Sequence, residues 1–233
     1  CYYRNWGNYD DDDVEISGCT FNRCHSSDYR VIAAKPWRTP TLFNCTISNM
    51  PAGQYIVRIE PKTQLTSPLK FEEFVFRNNI VNAPHTGGAG IWVQSTNQLL
   101  FTACQFEGLS NTNTGINNDG GALGYSTDAN LQNIEYRIEG CSFKNNKPAD
   151  VRNGGTIAIK TRATFIIDTC KFENTIRSAY NGGGIYIDSI SVDVQIINST
   201  FRMMNCSSDG GYGNAIFIQT GVRQVRISGC EFH

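Results

Sequence analysis

The stretch IEGCSFKNN, residues 138–146, decides the fold, because it returns as ISGCTFNRC at 16–24 and as ISGCEF at 227–232. With its cysteine as position zero, the string is apolar at −5, −3, zero and +2. Eight segments follow that template, centred on Cys19, Cys45, Phe74, Cys104, Cys141, Cys170, Ser199 and Cys230, at separations of 26, 29, 30, 37, 29, 29 and 31 residues. Pro40 at −5 and Ser199 at zero are the weak fits. Positions −5 and −3 alternate as a strand does, and so do zero and +2. The step from −3 to zero is odd, so the chain must bend there to keep both pairs inside. The bend residues are Gly18, Asn44, Ala103, Gly140, Thr169, Asn198 and Gly229, small or turn-forming types, with Glu73 as the exception.

A second series lies between these segments: GGAGIWVQ (87–94), GGALGYS (120–126), GGTIAIK (154–160), GGGIYID (182–188) and GNAIFIQ (213–219), with weaker members RVIAAK (30–35) and YIVRIE (55–60). Each has glycines or small residues, then an apolar-x-apolar strand. The inward pairs are Ile32/Ala34, Val57/Ile59, Ile91/Val93, Leu123/Tyr125, Ile157/Ile159, Ile185/Ile187 and Ile216/Ile218. Each period thus holds three short strands, and no segment has a 3.6-residue apolar period. One such unit cannot bury its inward face alone; stacked copies can, with like side chains forming ladders inside. Strands spaced ~4.8 Å apart make eight coils a rod roughly 40 Å long. A β-propeller blade needs about 40–45 residues, more than this period supplies. The expected architecture is an all-β, single-domain parallel β-helix of about eight three-stranded coils over residues 14–233, preceded by an N-terminal segment, 1–13.

Composition narrows the function classes. Of 233 residues, 40% are hydrophobic and only 18% charged, enough apolar surface for a core under a polar but weakly charged exterior. A net charge of −1 argues against a nucleic-acid partner or an anionic membrane surface, since both need a basic field. No apolar run approaches the ~18 residues of a membrane span. The chain opens on Cys1, as a mature or excised segment would, and its last template breaks off in mid-coil at His233. A coil left uncovered exposes unpaired strand edges, so either a longer chain or another subunit is expected to stack there.

Nine cysteines but no C-x-x-C pair, with His25, His85 and His233 scattered, make zinc a poor reading, and no cofactor or metal is expected. Cys19, Cys45, Cys104, Cys141, Cys170 and Cys230 share one ladder position. Stacked residues sit ~4.8 Å apart at Cα, which admits two readings. Rung-to-rung disulfides fit that distance, while parallel Cβ vectors favour buried thiols packed as small hydrophobes. Cys1, Cys24 and Cys206 lie off the ladder and are better candidates for disulfides, which would place the protein in an oxidising compartment.

The glycine-led element of Gly120-Gly121-Ala122-Leu123, its near copies at Gly154 and Gly182, and Phe-x-x-Asn at Phe76…Asn79 and Phe143…Asn146 resemble the GGA-(Ile/Leu/Val) and Phe-x-x-Asn repeats of polymorphic outer-membrane proteins and autotransporter passenger domains. These belong to the right-handed parallel β-helix, or pectate-lyase-like, superfamily. Elsewhere Cys24, Leu109, Thr175 and Met204 stand in the Asn place. The resemblance covers nearly the whole chain. It implies a right-handed coil and an adhesive or surface-displayed protein, although other members of the superfamily degrade pectin or alginate.

Glycoside hydrolases need two carboxylates about 5–9.5 Å apart. The polar residues that follow the glycine-led strands include only Glu60 and Asp188 as acids, four coils or ~19 Å apart. Glu139 and Asp168 are adjacent on the ladder, and YDDDDVE (9–15) is acidic but lacks the spacing that wraps a cation; both read as solvated surface. No catalytic residue is therefore expected. The outward aromatics Trp92, Tyr186 and Phe217 are candidate contacts for a protein partner or a glycan, unless a folded-back loop covers them. Asn44, Asn198 and Asn205 head N-glycosylation sequons, the first two at the bend. The expected function is a non-enzymatic extracellular or cell-surface β-helix, a structural or adhesive module, with assembly through its ends into a filament as the expected form. The competing expectation is a carbohydrate-active or carbohydrate-binding β-helix.

Overall fold

A computed structural model describes residues 3–5, 15–24, 31–34, 39–53, 55–60, 67–82, 87–93, 98–112, 120–127, 134–147, 153–174, 181–188, 193–204 and 212–233. Every described element is a strand and every strand pairing is parallel, so the chain is an all-β parallel solenoid. Sheet 1 stacks eight strands: Glu15–Ser17, Thr41–Phe43, Leu69–Glu72, Leu99–Thr102, Glu135–Glu139, Thr164–Asp168, Asp193–Ile197 and Gln224–Ser228. Sheet 2 follows it round the bend with Thr20–Asn22, Thr46–Ser48, Val75–Arg77, Gln105–Glu107, Ser142–Lys144, Lys171–Glu173, Thr200–Arg202 and Glu231–Phe232.

The third face does not run unbroken. It divides into one four-stranded sheet, Tyr3–Asn5, Ile32–Ala34, Val57–Ile59 and Ile91–Val93, and another, Leu123–Thr127, Ile157–Thr161, Ile185–Ile187 and Ile216–Ile218. One inserted residue explains the break. The amides of Gly88 and Ala89 donate forward to the carbonyls of Gly121 and Ala122 (3.1 and 2.8 Å), whereas the carbonyl of Gly90 accepts backward from Ile56 and Val57 (2.9 and 3.1 Å). Gly90 is thus the extra residue in GGAG-IWV relative to GGA-LGY. It turns at φ 63°, and a Cβ there would sit 2.9 Å from the Ile56 backbone. Beyond it, Ile91–Val93 is one residue out of phase with the next coil, and a one-residue slip reverses which side chains face inward.

The bends behave uniformly. All eight residues before position zero, Glu73 included, adopt left-handed φ between 49° and 64°. A second left-handed corner, which the sequence template did not single out, falls four residues after position zero at Arg23, Asn49, Asn78, Gly108, Asn145, Asn174 and Met203, with φ between 51° and 63°.

The core is a set of columns. At +2, successive rings from Phe76 through Phe106, Phe143, Phe172 and Phe201 to Phe232 stack with centroids 4.7–5.3 Å apart and planes within 9°. In-register parallel strands place identical side chains one rung apart, so the rings have no other arrangement; such pairs add about 0.5–1.5 kcal/mol beyond burial. Asn79 and Asn146 are buried among them. Asn146 donates from Nδ2 to the Phe106 carbonyl (2.9 Å) and accepts at Oδ1 from the Leu109 amide (3.1 Å). Asn79 does the same for Ile47 and Met50. The Asn of Phe-x-x-Asn is thus a buried bracket that satisfies two backbone groups of the preceding coil at its second corner.

Candidate functional site

Position zero reads differently in three dimensions than in sequence. Cys19, Cys45, Cys104, Cys141, Cys170 and Cys230 are thiols. Cys104, Cys141 and Cys170 each donate to the carbonyl two residues earlier (3.2–3.4 Å) and to a carbonyl of the preceding coil (3.1–3.6 Å). The Cys141 sulfur also accepts from the Cys104 amide at 3.4 Å. Ser199 makes two of these bonds, from Oγ to the Ile197 carbonyl (2.8 Å) and from the Cys170 amide to Oγ (3.1 Å). A small residue carrying a buried donor and acceptor is what the slot uses, so Ser199 is a full member of the series. Burial pushes the thiols of Cys45 and Cys104 above their ordinary range; a hydrogen bond with Cys141, then burial, does so for Cys170. Hydrogen bonds from Cys104 and Cys170 act the other way on Cys141 and lower it to about 4, so the trio shares its protons through those bonds. Of the off-ladder cysteines, the Cys24 sulfur lies 3.9 Å from the Asn22 carbonyl, and Cys1 and Cys206 fall outside the described residues.

The outward aromatics form two clusters on the third face, one on each side of its break. In the first, Arg58 and Trp92 are in register. The Arg58 guanidinium lies 5.2 Å from the Trp92 ring centroid and 5.8 Å from that of Tyr55, and it pairs with Glu60. Cation–π contact orients the arginine along the sheet. In the second, Tyr186 and Phe217 are in register and stack at 5.7 Å with planes 3° apart. Lys160 Nζ sits 5.6 Å from the Tyr186 ring, and the tyrosine hydroxyl reaches Asp188 Oδ2 (3.2 Å) and Gln219 Oε1. Gly124 and Ala158 occupy the rungs leading to Tyr186, so the three aromatics make no continuous platform. Tyr186 is only 5% exposed, while Tyr212, centred 6.5 Å from Phe217, is 67% exposed. Tyr212 was missed in sequence because it precedes the strand and has no counterpart in the repeat.

Asn44 and Asn198 are exposed at left-handed bends, and their backbone amides donate to Glu72 and Ser228 (both 2.9 Å). In both sequons the middle residue, Cys45 or Ser199, is buried and the threonine is in a sheet 2 strand. The Asn198 carboxamide occupies the space that a Cβ at Gly229 would fill, so that close approach requires a glycine one coil on. Asn205 falls outside the described residues.

The two ends of the ladder differ. In the first coil, Ile16 and Phe21 are 4% and 5% exposed. In the last coil, Ile227 and Phe232, in the same template positions, are 41% and 52% exposed, and Ile218 is exposed beside them. Among the described residues no group of His, Cys, Asp and Glu is arranged to hold a metal ion, and no helix is long and apolar enough to cross a membrane. Comparison with known proteins finds no matching family model, curated protein or solved structure.

Proposed function

We propose that this chain is a non-enzymatic extracellular or cell-surface β-solenoid, a structural or adhesive module that meets another protein subunit through the aromatic residues of its third face. The observation that carries the reading is Tyr212, 67% exposed, beside Phe217 and its in-register neighbour Tyr186. Exposed aromatic surface of this kind marks an interaction site. Phe-x-x-Asn and the glycine-led strand support kinship with right-handed β-helices of the autotransporter-passenger type, which are adhesive. Sequon asparagines on exposed bends support a secreted glycoprotein; because the sequon threonines lie inside strands, glycans at Asn44 and Asn198 would be added before those coils close.

The test is sedimentation over a range of concentrations. Concentration-dependent association of the wild type, weakened by Tyr212→Ala and by Phe217→Ser with circular dichroism unchanged, is the expected result. Particles monodisperse at every concentration would overturn it. New reducing ends or unsaturated uronates after incubation with pectin or alginate would overturn the non-enzymatic reading separately.

A further inference from the structure

Two successive rungs of the position-zero ladder carry Cys19 and Cys45. Ser17 pairs with Phe43 on one side of them and Thr20 with Thr46 on the other. The two cysteines therefore lie on one register line, about 4.8 Å apart at Cα. The Cys19 amide donates to Cys45 Sγ at 3.4 Å, and a hydrogen bond also joins the two thiols. Each sulfur is also 3.2–3.3 Å from the carbonyl two residues before it, that of Ser17 or Phe43.

Burial sets this pair apart from the other thiols. Cys45 is buried while Cys19 is half-buried. Cys104, Cys141 and Cys170 are all buried, so none of the three offers a reagent a way in. Cys230 is half-buried, but the rung before it holds Ser199, which has no sulfur to close on. Among the described ladder cysteines, only Cys19 and Cys45 combine a thiol that solvent reaches with a second thiol directly behind it.

We propose that Cys19 and Cys45 are a redox pair that a small-molecule disulfide, such as glutathione disulfide, closes reversibly into a covalent tie between their coils. The Cys19 thiolate attacks one sulfur of the reagent, forms a mixed disulfide and releases one glutathione thiolate. That thiolate takes up the proton that Cys45 gives up. The Cys45 sulfur then attacks the Cys19 sulfur, forms the Cys19–Cys45 bond and expels the second glutathione. The two protein thiols thus lose two electrons and two protons, and the reagent gains both as two thiols. Geometry sets how firmly the tie holds. A Cα separation of about 4.8 Å lies inside the usual disulfide range of about 4.4–6.8 Å, but parallel Cβ vectors keep the Cβ atoms near that same spacing, beyond the usual 3.5–4.5 Å. Such strain makes a disulfide easier to reduce, so this tie opens again in a reducing medium. The pair is separate from the aromatic third face and does not depend on contacts made there.

The experiment equilibrates the full chain, made in a bacterium so that Asn44 carries no glycan, in buffers running from reduced to oxidised glutathione. Remaining thiols are blocked with iodoacetamide and tryptic peptides are mapped by mass spectrometry. Peptides 5–23 and 39–58 hold Cys19 and Cys45 as their sole cysteines, so a link between them is read directly. The expected result is this linked pair, growing with glutathione disulfide and lost again in reduced glutathione. In the reduced native protein, iodoacetamide should block Cys19 at least about tenfold faster than Cys104, Cys141 or Cys170. Cys45→Ser, which puts at this rung the group that Ser199 supplies at its own, should leave Cys19 stopped at the mixed disulfide; the wild-type map stands whether or not that variant folds. No link between 5–23 and 39–58 in any buffer, a link that reduced glutathione does not open, Cys19 joined instead to another cysteine, or links among Cys104, Cys141 and Cys170 formed as readily would each overturn the proposal.

Discussion

Ala103 and Thr169 hold φ of 53° at the bend between sheets 1 and 2, where most other coils place Gly or Asn. An L-residue with a Cβ loses roughly 1–2 kcal/mol in this region, and glycine does not. The bend is imposed on them by the ladders on either side, which need both inward pairs to face the core. Ala103→Gly is therefore expected to raise stability by about 1 kcal/mol, the strain relieved exceeding the added freedom of the unfolded chain. A higher urea midpoint with an unchanged slope is the readout. The reverse change, Gly140→Ala, should lower the midpoint by a similar amount. Small residues at this position were visible in the sequence. That Glu73 takes the same conformation was not, because glutamate has no intrinsic preference for it and tertiary context alone holds it there.

At the scale of a ladder, specificity comes from repetition across rungs. The outward column Arg77, Glu107, Lys144, Glu173 and Arg202 alternates in charge along the register of sheet 2, with ion pairs Arg77–Glu107 (2.9 Å) and Lys144–Glu173 (3.8 Å). Exposed pairs contribute little to stability, but a coil slipped by one rung would set like charges against each other. The position-zero ladder is the stronger constraint because it is buried. Ser199→Ala removes an acceptor from the Cys170 amide and a donor from the Ile197 carbonyl, and should cost about 1–3 kcal/mol. Ser199→Cys restores the chemistry of the other rungs and should be nearly neutral. Equal losses in the two variants, measured by urea unfolding, would show that the slot needs volume alone. Sequence periodicity located this position but was silent on its hydrogen bonds, since one strand's pattern does not show which backbone groups of the neighbouring coil it faces.

Over the whole molecule, the buried phenols and the Cys45 thiol make the solenoid sensitive to alkali. Burial pushes Tyr136 up to about 12. Tyr125, packed between Tyr136 and Phe165, is raised by burial and then by the neighbouring phenol. Burial raises the Cys45 thiol as well, whereas in the trio along the same ladder Cys104 and Cys170 are raised and Cys141, held by hydrogen bonds from both, is lowered to about 4, so those three oppose one another. In the unfolded chain a thiol ionises near pH 8.5 and the phenols near pH 10. Above those values the unfolded state has lost protons that the native state keeps, so stability must fall as pH rises. It is present in full below about pH 8.5, and each group then removes about 1.4 kcal/mol per pH unit until its own folded value is reached. The urea midpoint should drop steadily from pH 9 to pH 11, and Tyr136 should stay un-ionised by ultraviolet absorbance until about pH 12 or unfolding. A flat midpoint over that window would refute the account.

The sequence alone determined the parallel solenoid, its coil spacing, its inward residues and its bends, because each follows from a short periodic pattern that stacking copies over itself. It also marked Trp92, Tyr186 and Phe217 as candidate contacts on the third face, where Tyr186 and Phe217 are in register. Only the tertiary structure decided that Gly90 breaks the third face and so separates Trp92 from the other two, and that Tyr186 is enclosed while Tyr212 is exposed. It alone showed that a second left-handed corner follows position zero, and that Asn79 and Asn146 bracket it from inside. These features depend on which coil lies against which and on one residue's shift of phase, and neither is written in any single repeat.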